Sequence, residues 1–304
     1  RFRDAEDLAT AAGDCSFAAV CRAAWAECLI SMGELDRAEE VYPSLLPQLA
    51  EHRRLSALSG AWLGYGGLAW RKGDLDTAEK RARRSLTIAL ECGEPAQIAA
   101  ARTSLGVLHF GRGNFDAALE DFQAIADEGQ RLGNIRLLAG GLMRLGDVHC
   151  VRGDLDAAES NLARCVQAAQ RGDLAFELNY APFRLALLHF HHGDLGAARG
   201  YLDLVSPPKL RANFAWRATL LRRALDVASG AGDTLDEHVL EMAALGPMQE
   251  FIALLLVATG PQRGGHTHLF HSVMARATDL RRRVGDLPRE DELNYERLRG
   301  SAIR

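Results

Sequence analysis

GDLDAAES, residues 153–160, is the stretch on which the fold turns. Gly153 can adopt the left-handed conformation that ends a helix, and Asp154 can cap the next helix with its carboxylate. Leu155, Ala158, Leu162, Cys165, Val166 and Ala169 then fall at three- and four-residue spacing on one stripe of that helix. The octet recurs as GELDRAEE at Gly33, GDLDTAEK at Gly73, GNFDAALE at Gly113 and GDLGAARG at Gly193, in steps of 40 residues. A second series runs between these, with AGD at Gly13, CGE at Gly93, LGN at Gly133 and RGD at Gly172, and only the second repeat lacks its member. The spacing predicts two helices per repeat.

The first helix of each pair has its own stripe: from Ile135 to Arg152, Leu138, Leu142, Leu145, Val148 and His149 share one face. Neither stripe can be buried by its own helix, so the hairpins must stack. Ala38, Ala78, Ala118, Ala158 and Ala198 stand where the two helices of a hairpin come close. Composition agrees. Hydrophobic residues make up 48% and charged residues 25%, enough apolar material for a core, and the excess of Ala, Leu and Arg over β-branched residues favours helix.

Paired with these alanines, twelve positions earlier, stand Gly66, Gly106 and Gly146, with Ala26 and Ala186 in the outer repeats. Leu105, Leu145 and Leu185 precede the small residue, and Trp62 matches an earlier aromatic position. In these features the sequence resembles the tetratricopeptide repeat family. It departs in its 40-residue period, which implies a longer second helix than the usual 34-residue repeat, and in lacking most closing prolines. HEAT and armadillo arrays are the rivals by period, but the G-D-L-D-x-A-E turn and the small-residue spacing favour the tetratricopeptide reading. The resemblance implies an all-α, right-handed superhelical solenoid of antiparallel helix pairs, with six to seven hairpins.

The organisation expected is a second helix of a truncated repeat over residues 1–14, five repeats over 15–205, degenerate helical hairpins over 206–286, and a charged terminal helix or linker over 287–304. Past Pro207 and Pro208, Gly232 to Asp236 echoes the repeat turn. Phe251 to Val257 and Leu269 to Val284 read as one more hairpin around a loop from Gly260 to Gly265. The opening without Met, inside what reads as a second helix, leads us to expect a piece of a longer polypeptide.

A net charge of −4 provides no global positive field, so direct nucleic-acid binding is not expected. The longest apolar stretch, Phe251 to Ala258, falls far short of the roughly 20 residues of a membrane span. Six cysteines without a CxxC pair point to a reducing, cytoplasmic setting, and the predominance of Arg over Lys points to a GC-rich bacterial host.

No P-loop, GxSxG or HExxH occurs, and the carboxylates at the turns have capping roles, so neither enzyme activity nor a cofactor is expected. His109, His149 and His189 recur at one repeat position and read as packing residues, since neighbouring repeats hold that position about 10 Å apart, too far for one metal. His266, His268 and His271 could hold zinc, but no nearby Cys completes the set, and no metal is assigned.

In the family, first helices line a concave groove. That resemblance implies partner contacts at Leu63 and Trp70 in repeat two, at Thr103, Val107 and Phe110 in repeat three, at Met143, Arg144 and Asp147 in repeat four, and at Phe183, Arg184, Leu187 and Phe190 in repeat five. The Lys and Asn donors of a carboxylate clamp are missing, so the groove suits an apolar or amphipathic helix, a peptide, or another part of the same polypeptide. The function expected is a protein-protein or ligand-sensing interaction module. It would serve as the regulatory repeat arm of a larger bacterial signalling protein, similar to STAND-type, MalT-like regulators. The alternative is a freestanding scaffold that binds an amphipathic helix or peptide.

Overall fold

The computed structural model describes residues 2–206, 212–229, 254–255, 267–281, 292, 295–296 and 298–299. Among them every regular element is a helix. In chain order these are α1 Phe2–Ala11, α2 Cys15–Ser31, α3 Leu35–Glu51, α4 Leu55–Arg71, α5 Leu75–Cys92, α6 Pro95–Gly111, α7 Phe115–Arg131, α8 Ile135–Arg152, α9 Leu155–Gly172, α10 Glu177–His192, α11 Leu195–Asp203, α12 Ala212–Ala228 and α13 Thr267–Arg281. The repeats are the pairs α2/α3, α4/α5, α6/α7, α8/α9 and α10/α11. The chain forms two compact units, Arg1–Ile125 and Ala126–Arg304, with the boundary inside α7.

The turns work as the residues dictate. Gly13, Gly33, Gly73, Gly93, Gly113, Gly133, Gly153 and Gly193 all have positive φ, and Asp14, Asp74, Asn134, Asp154 and Asp194 each accept a hydrogen bond from the amide three residues on. The second series departs from its glycines at two places. Asp173, not Gly172, is left-handed, at φ 48°, and Arg53 takes the same conformation at φ 50° in the repeat that lacks the glycine. Counted this way the left-handed residues are 13, 53, 93, 133 and 173, as regular as the first series. Gly172 is small for another reason: a Cβ there would stand 2.7 Å from Ile135 Cγ2.

Helices α4 to α9 are 17 or 18 residues each, so the long period is shared by both helices and not carried by the second alone. The small first-helix position is enforced by its hairpin partner. A Cβ on Gly106 would meet the Phe122 ring at 2.5 Å, one on Gly146 would meet Leu162 at 2.5 Å, and one on Gly66 would meet the Ala78 carbonyl oxygen at 3.3 Å. The five second-helix alanines, Ala38 to Ala198, are all buried.

Charged residues tie successive hairpins of the first unit together. Lys72 reaches Asp36 and Glu39, and one repeat on Arg112 reaches Asp76 and Glu79, each at 2.5 to 2.9 Å. These turn-proximal carboxylates therefore bind cations of the next repeat as well as lying near helix starts.

The expected turn at Gly232 to Asp236, the loop from Gly260 to Gly265, the flanking segment Phe251 to Val257 apart from Leu254 and Leu255, and most of residues 287–304 lie outside the described residues.

Candidate functional site

In the first unit, the first helices α2, α4 and α6 leave an open groove of about 610 Å³. Leu63, Trp70, Thr103 and Val107 line it, four of the five residues expected there. Trp70 is 54% exposed at its edge. Phe110 does not line this groove; its ring lies 5.9 Å from that of Phe115 across the turn. A second hollow of about 680 Å³ continues from the first, sharing Glu27, Gly60 and Gln97 with it, and ends among the more polar residues Arg53, Arg54, Glu91 and Glu94.

Glu27, Ile30, Gly60 and Gln97 were not among the residues expected from sequence. The signal was present: Glu27 and Ile30 occupy in repeat one the offsets of Gly67 and Trp70, and carrying the offsets back one repeat finds them. Glycine in a helix interior is destabilising by about 0.5–1 kcal/mol relative to alanine, yet Gly67 faces open space and a Cβ on Gly60 would find only Gln97 Oε1, at 4.0 Å. Packing within the protein does not require either glycine, and both widen the groove floor.

The electrostatics of this groove centre on Glu27. No residue among those described pairs with its carboxylate, and the apolar wall around it raises its pKa by desolvation. Behind Gly64, the fully buried Tyr42 hydroxyl has no hydrogen-bond partner among the described residues; its ring stacks on Tyr65 at 4.6 Å. Burial first, and then the charge of Glu27, pushes the Tyr42 pKa up.

The second unit corrects the expectation that the same offsets stay open. Met143, Asp147, Phe183, Arg184, Leu187 and Phe190 are all buried, Phe183 and Phe190 to within 1%. Only Arg144 keeps partial exposure. Eleven of the 16 residues of α10 are buried, so its outward face is interior to the unit. Tyr180, Phe183 and Phe214 of α12 pack with ring centroids 4.8 to 6.4 Å apart. Arg184 was expected to add positive charge to the groove, but its Nε lies 2.9 Å from Asp147 Oδ1 and its charge is answered inside the fold. The Tyr180 hydroxyl donates to the same carboxylate at 3.0 and 3.1 Å, and Arg144 approaches it at 3.8 Å.

The recurring histidines sit against carboxylates. His109 Nδ1 is 3.1 Å from Asp121 Oδ2, and its Nε2 is 3.7 Å from Glu79. His149 and His189 face Asp154 and Asp194, with Glu159 and the Tyr201 ring also beside His189. Burial raises the Asp121 pKa against the opposing pull of His109 and Arg102. Among the described residues no group of three or more His, Cys, Asp or Glu could hold a metal ion, and no helix is long and apolar enough to cross a membrane. His266 and the side chains of His268 and His271 lie outside the described residues.

No curated protein matches the chain in sequence. Among solved structures, BtubC (BKLC) from P. vanneervenii is similar at 20% identity, over 74% of this chain and 88% of that one, with a TM-score of 0.57. The pilF protein of Pseudomonas aeruginosa aligns over 99% of both chains at 12% identity and TM-score 0.49. Acl4, an assembly chaperone of RpL4, aligns over 91% of this chain and 93% of its own at 14% and 0.43. At 20% identity the likeness to BtubC is one of fold alone. Residues 98–128, running from α6 into α7, match the family model described as tetratricopeptide repeat, and the fold is that of tetratricopeptide-like helical-repeat proteins, in general modules that bind other proteins.

Proposed function

We propose that this chain is a partner-binding module whose working surface is the open groove of the first unit, and that its partner presents an amphipathic helix. The open groove over α2, α4 and α6 carries this reading. Its lining is mainly apolar, with Trp70 exposed and Ile30, Leu63 and Val107 half-buried, surface whose burial against a helix is worth about 25 cal/mol per Å². Glycines on its floor admit close approach of another backbone.

Within that reading the chain serves as the regulatory repeat arm of a larger bacterial signalling protein. The strict 40-residue period supports this role, in which the docked helix belongs to the same polypeptide.

Fluorescence of a variant that keeps Trp70 and carries Phe at Trp25, Trp62 and Trp216 reports docking. Synthetic amphipathic helices should shift its emission to the blue, and Val107→Glu should weaken their binding by about tenfold or more, since it places a charge on a desolvating surface. Leu90→Glu, at an exposed site on α5 that does not line the groove, should leave binding unchanged. Equal loss in both variants, or in neither, would refute the groove as the docking surface. Helices taken from the coding sequence on either side of residues 1–304 then test the arm: their binding in this groove supports it, and exclusive binding of helices from other polypeptides overturns it in favour of a freestanding adaptor.

A further inference from the structure

The 40-residue repeat sets the groove beside the fourth repeat, where the same chain fills the equivalent position. Glu27 on α2 and Asp147 on α8 hold the same repeat position, 120 residues apart. In the fourth repeat the carboxylate of Asp147 takes Arg184 at 2.9 Å and the Tyr180 hydroxyl at 3.0 Å, both from the next first helix, α10. The residues 120 positions before Arg184 and Tyr180 are Gly64 and Gly60. Repeat two thus offers Glu27 neither the guanidinium nor the hydroxyl that answers Asp147; both glycines and Glu27 line the open groove, where a side chain at Gly60 would find room while the Tyr42 hydroxyl already stands beside Gly64.

A second observation points the same way. The Tyr42 hydroxyl is fully buried and without a hydrogen-bond partner among the described residues, and it lies where a Cβ on Gly64 would come within 2.6 Å of it. A carboxylate without a counter-ion and a buried hydroxyl without a partner thus flank the bare stretch of α4.

We propose that the partner helix inserts an arginine over Gly60 and Gly64 to pair with Glu27, supplying from outside what Arg184 supplies to Asp147 from within. This deepens the docking function proposed above and rests on it. Arginine fits better than lysine because its planar fork can meet the carboxylate with two donors, as an ammonium on a flexible stem cannot. The apolar lining on either side, Ile30 and Leu63 among it, accepts the aliphatic residues one turn before and after that arginine.

The test uses the full 304-residue chain and three fluorescein-labelled amphipathic helices of about 18 residues, long enough to hold helical structure on docking. They are identical except for arginine, norleucine or glutamate at one central position. Binding is read by anisotropy at about 50 mM salt, where such a charge pair is least screened. The arginine peptide should bind about tenfold more tightly than the glutamate peptide. Glu27→Gln should bring the two within about twofold of each other, and Glu27→Lys should reverse their order. Gly60→Tyr, whose side chain would enter the open groove and reach toward Glu27 as Tyr180 reaches Asp147, should weaken all three peptides. Circular dichroism of each variant reports folding. Binding of all three peptides without charge preference, or a preference that survives Glu27→Gln, overturns the arginine assignment and leaves the groove standing. Failure of every peptide to bind the folded wild-type chain overturns the docking function itself, and this inference with it.

Discussion

Gly67→Ala should make the protein more stable and a worse binder at the same time. Gly67 lies inside α4 with helical φ, and a Cβ there would meet nothing within 4 Å, so the methyl clashes with no part of the protein. Replacing glycine by alanine in a helix interior removes backbone entropy from the unfolded chain and should stabilise by about 0.5–1 kcal/mol. For a chain of this size that corresponds to a rise in melting temperature of about 1–4 °C. The same methyl projects from the groove floor, where it holds an incoming helix away from α4. Losing part of the contact shell around one turn should weaken an amphipathic peptide by about three- to tenfold, since dispersion falls steeply with a gap of even half an ångström. Differential scanning calorimetry gives the first quantity, and anisotropy with the arginine-bearing helix gives the second. A lower melting temperature would mean that Gly67 does not face open space. A higher one with unchanged affinity would mean that no helix approaches α4 at this point, and would remove the reason offered for glycine there.

Three further outcomes test the structural reading. Gly106→Ala, one repeat on and one position back from the Gly67 offset, should have the opposite sign and destabilise by about 1–3 kcal/mol, because its methyl would press on the buried Phe122 ring; urea denaturation measures it. Arg53→Gly should stabilise by about 0.5–1 kcal/mol, as relief of a left-handed non-glycine residue exceeds the added freedom of the unfolded chain, and an unchanged urea midpoint would contradict the φ of 50°. The Glu79 pKa is lowered chiefly by its hydrogen bond with Arg83, with Arg83, Arg112 and His109 adding their charge. Because its folded pKa lies below its unfolded one, Glu79 contributes stability that is fully present above the ordinary glutamate value of 4.5 and is lost as pH falls through the lowered folded value. Urea midpoints followed below pH 4.5 should therefore fall less steeply in Glu79→Gln than in the wild type.

The hairpins are legible in the sequence because their signals are local. A left-handed glycine, a capping Asp and an apolar stripe each act within one turn of helix, and the octet at Gly153 carries all three. The two turns that depart from the glycine series have a common cause. Motif matching places the second series at Gly172 and finds nothing near position 53, whereas counting in forties gives Asp173 and Arg53; the stacking of hairpins fixes where the chain must turn, and the residue there adapts or is strained. Asp tolerates the left-handed region through its short polar side chain, and Arg53 does so without such help.

The groove is legible only in part, although the repeat offsets themselves are sound. Position 27 and its equivalents 67, 107, 147 and 187 hold Glu, Gly, Val, Asp and Leu, residues that no periodicity makes alike. Whether such a position is open depends on what stands 33 and 37 residues further along the chain. After Glu27 these are Gly60 and Gly64, and the groove stays open; after Asp147 they are Tyr180 and Arg184, and the carboxylate is closed over. For these two carboxylates the paired positions, and not the single one, separate the open site of the first unit from the self-satisfied site of the second. Glu27 keeps its access to solvent through the open groove, so a cation brought from outside can reach its carboxylate. The glycines that leave Glu27 without a counter-ion are therefore best understood through the cation that a partner brings to it.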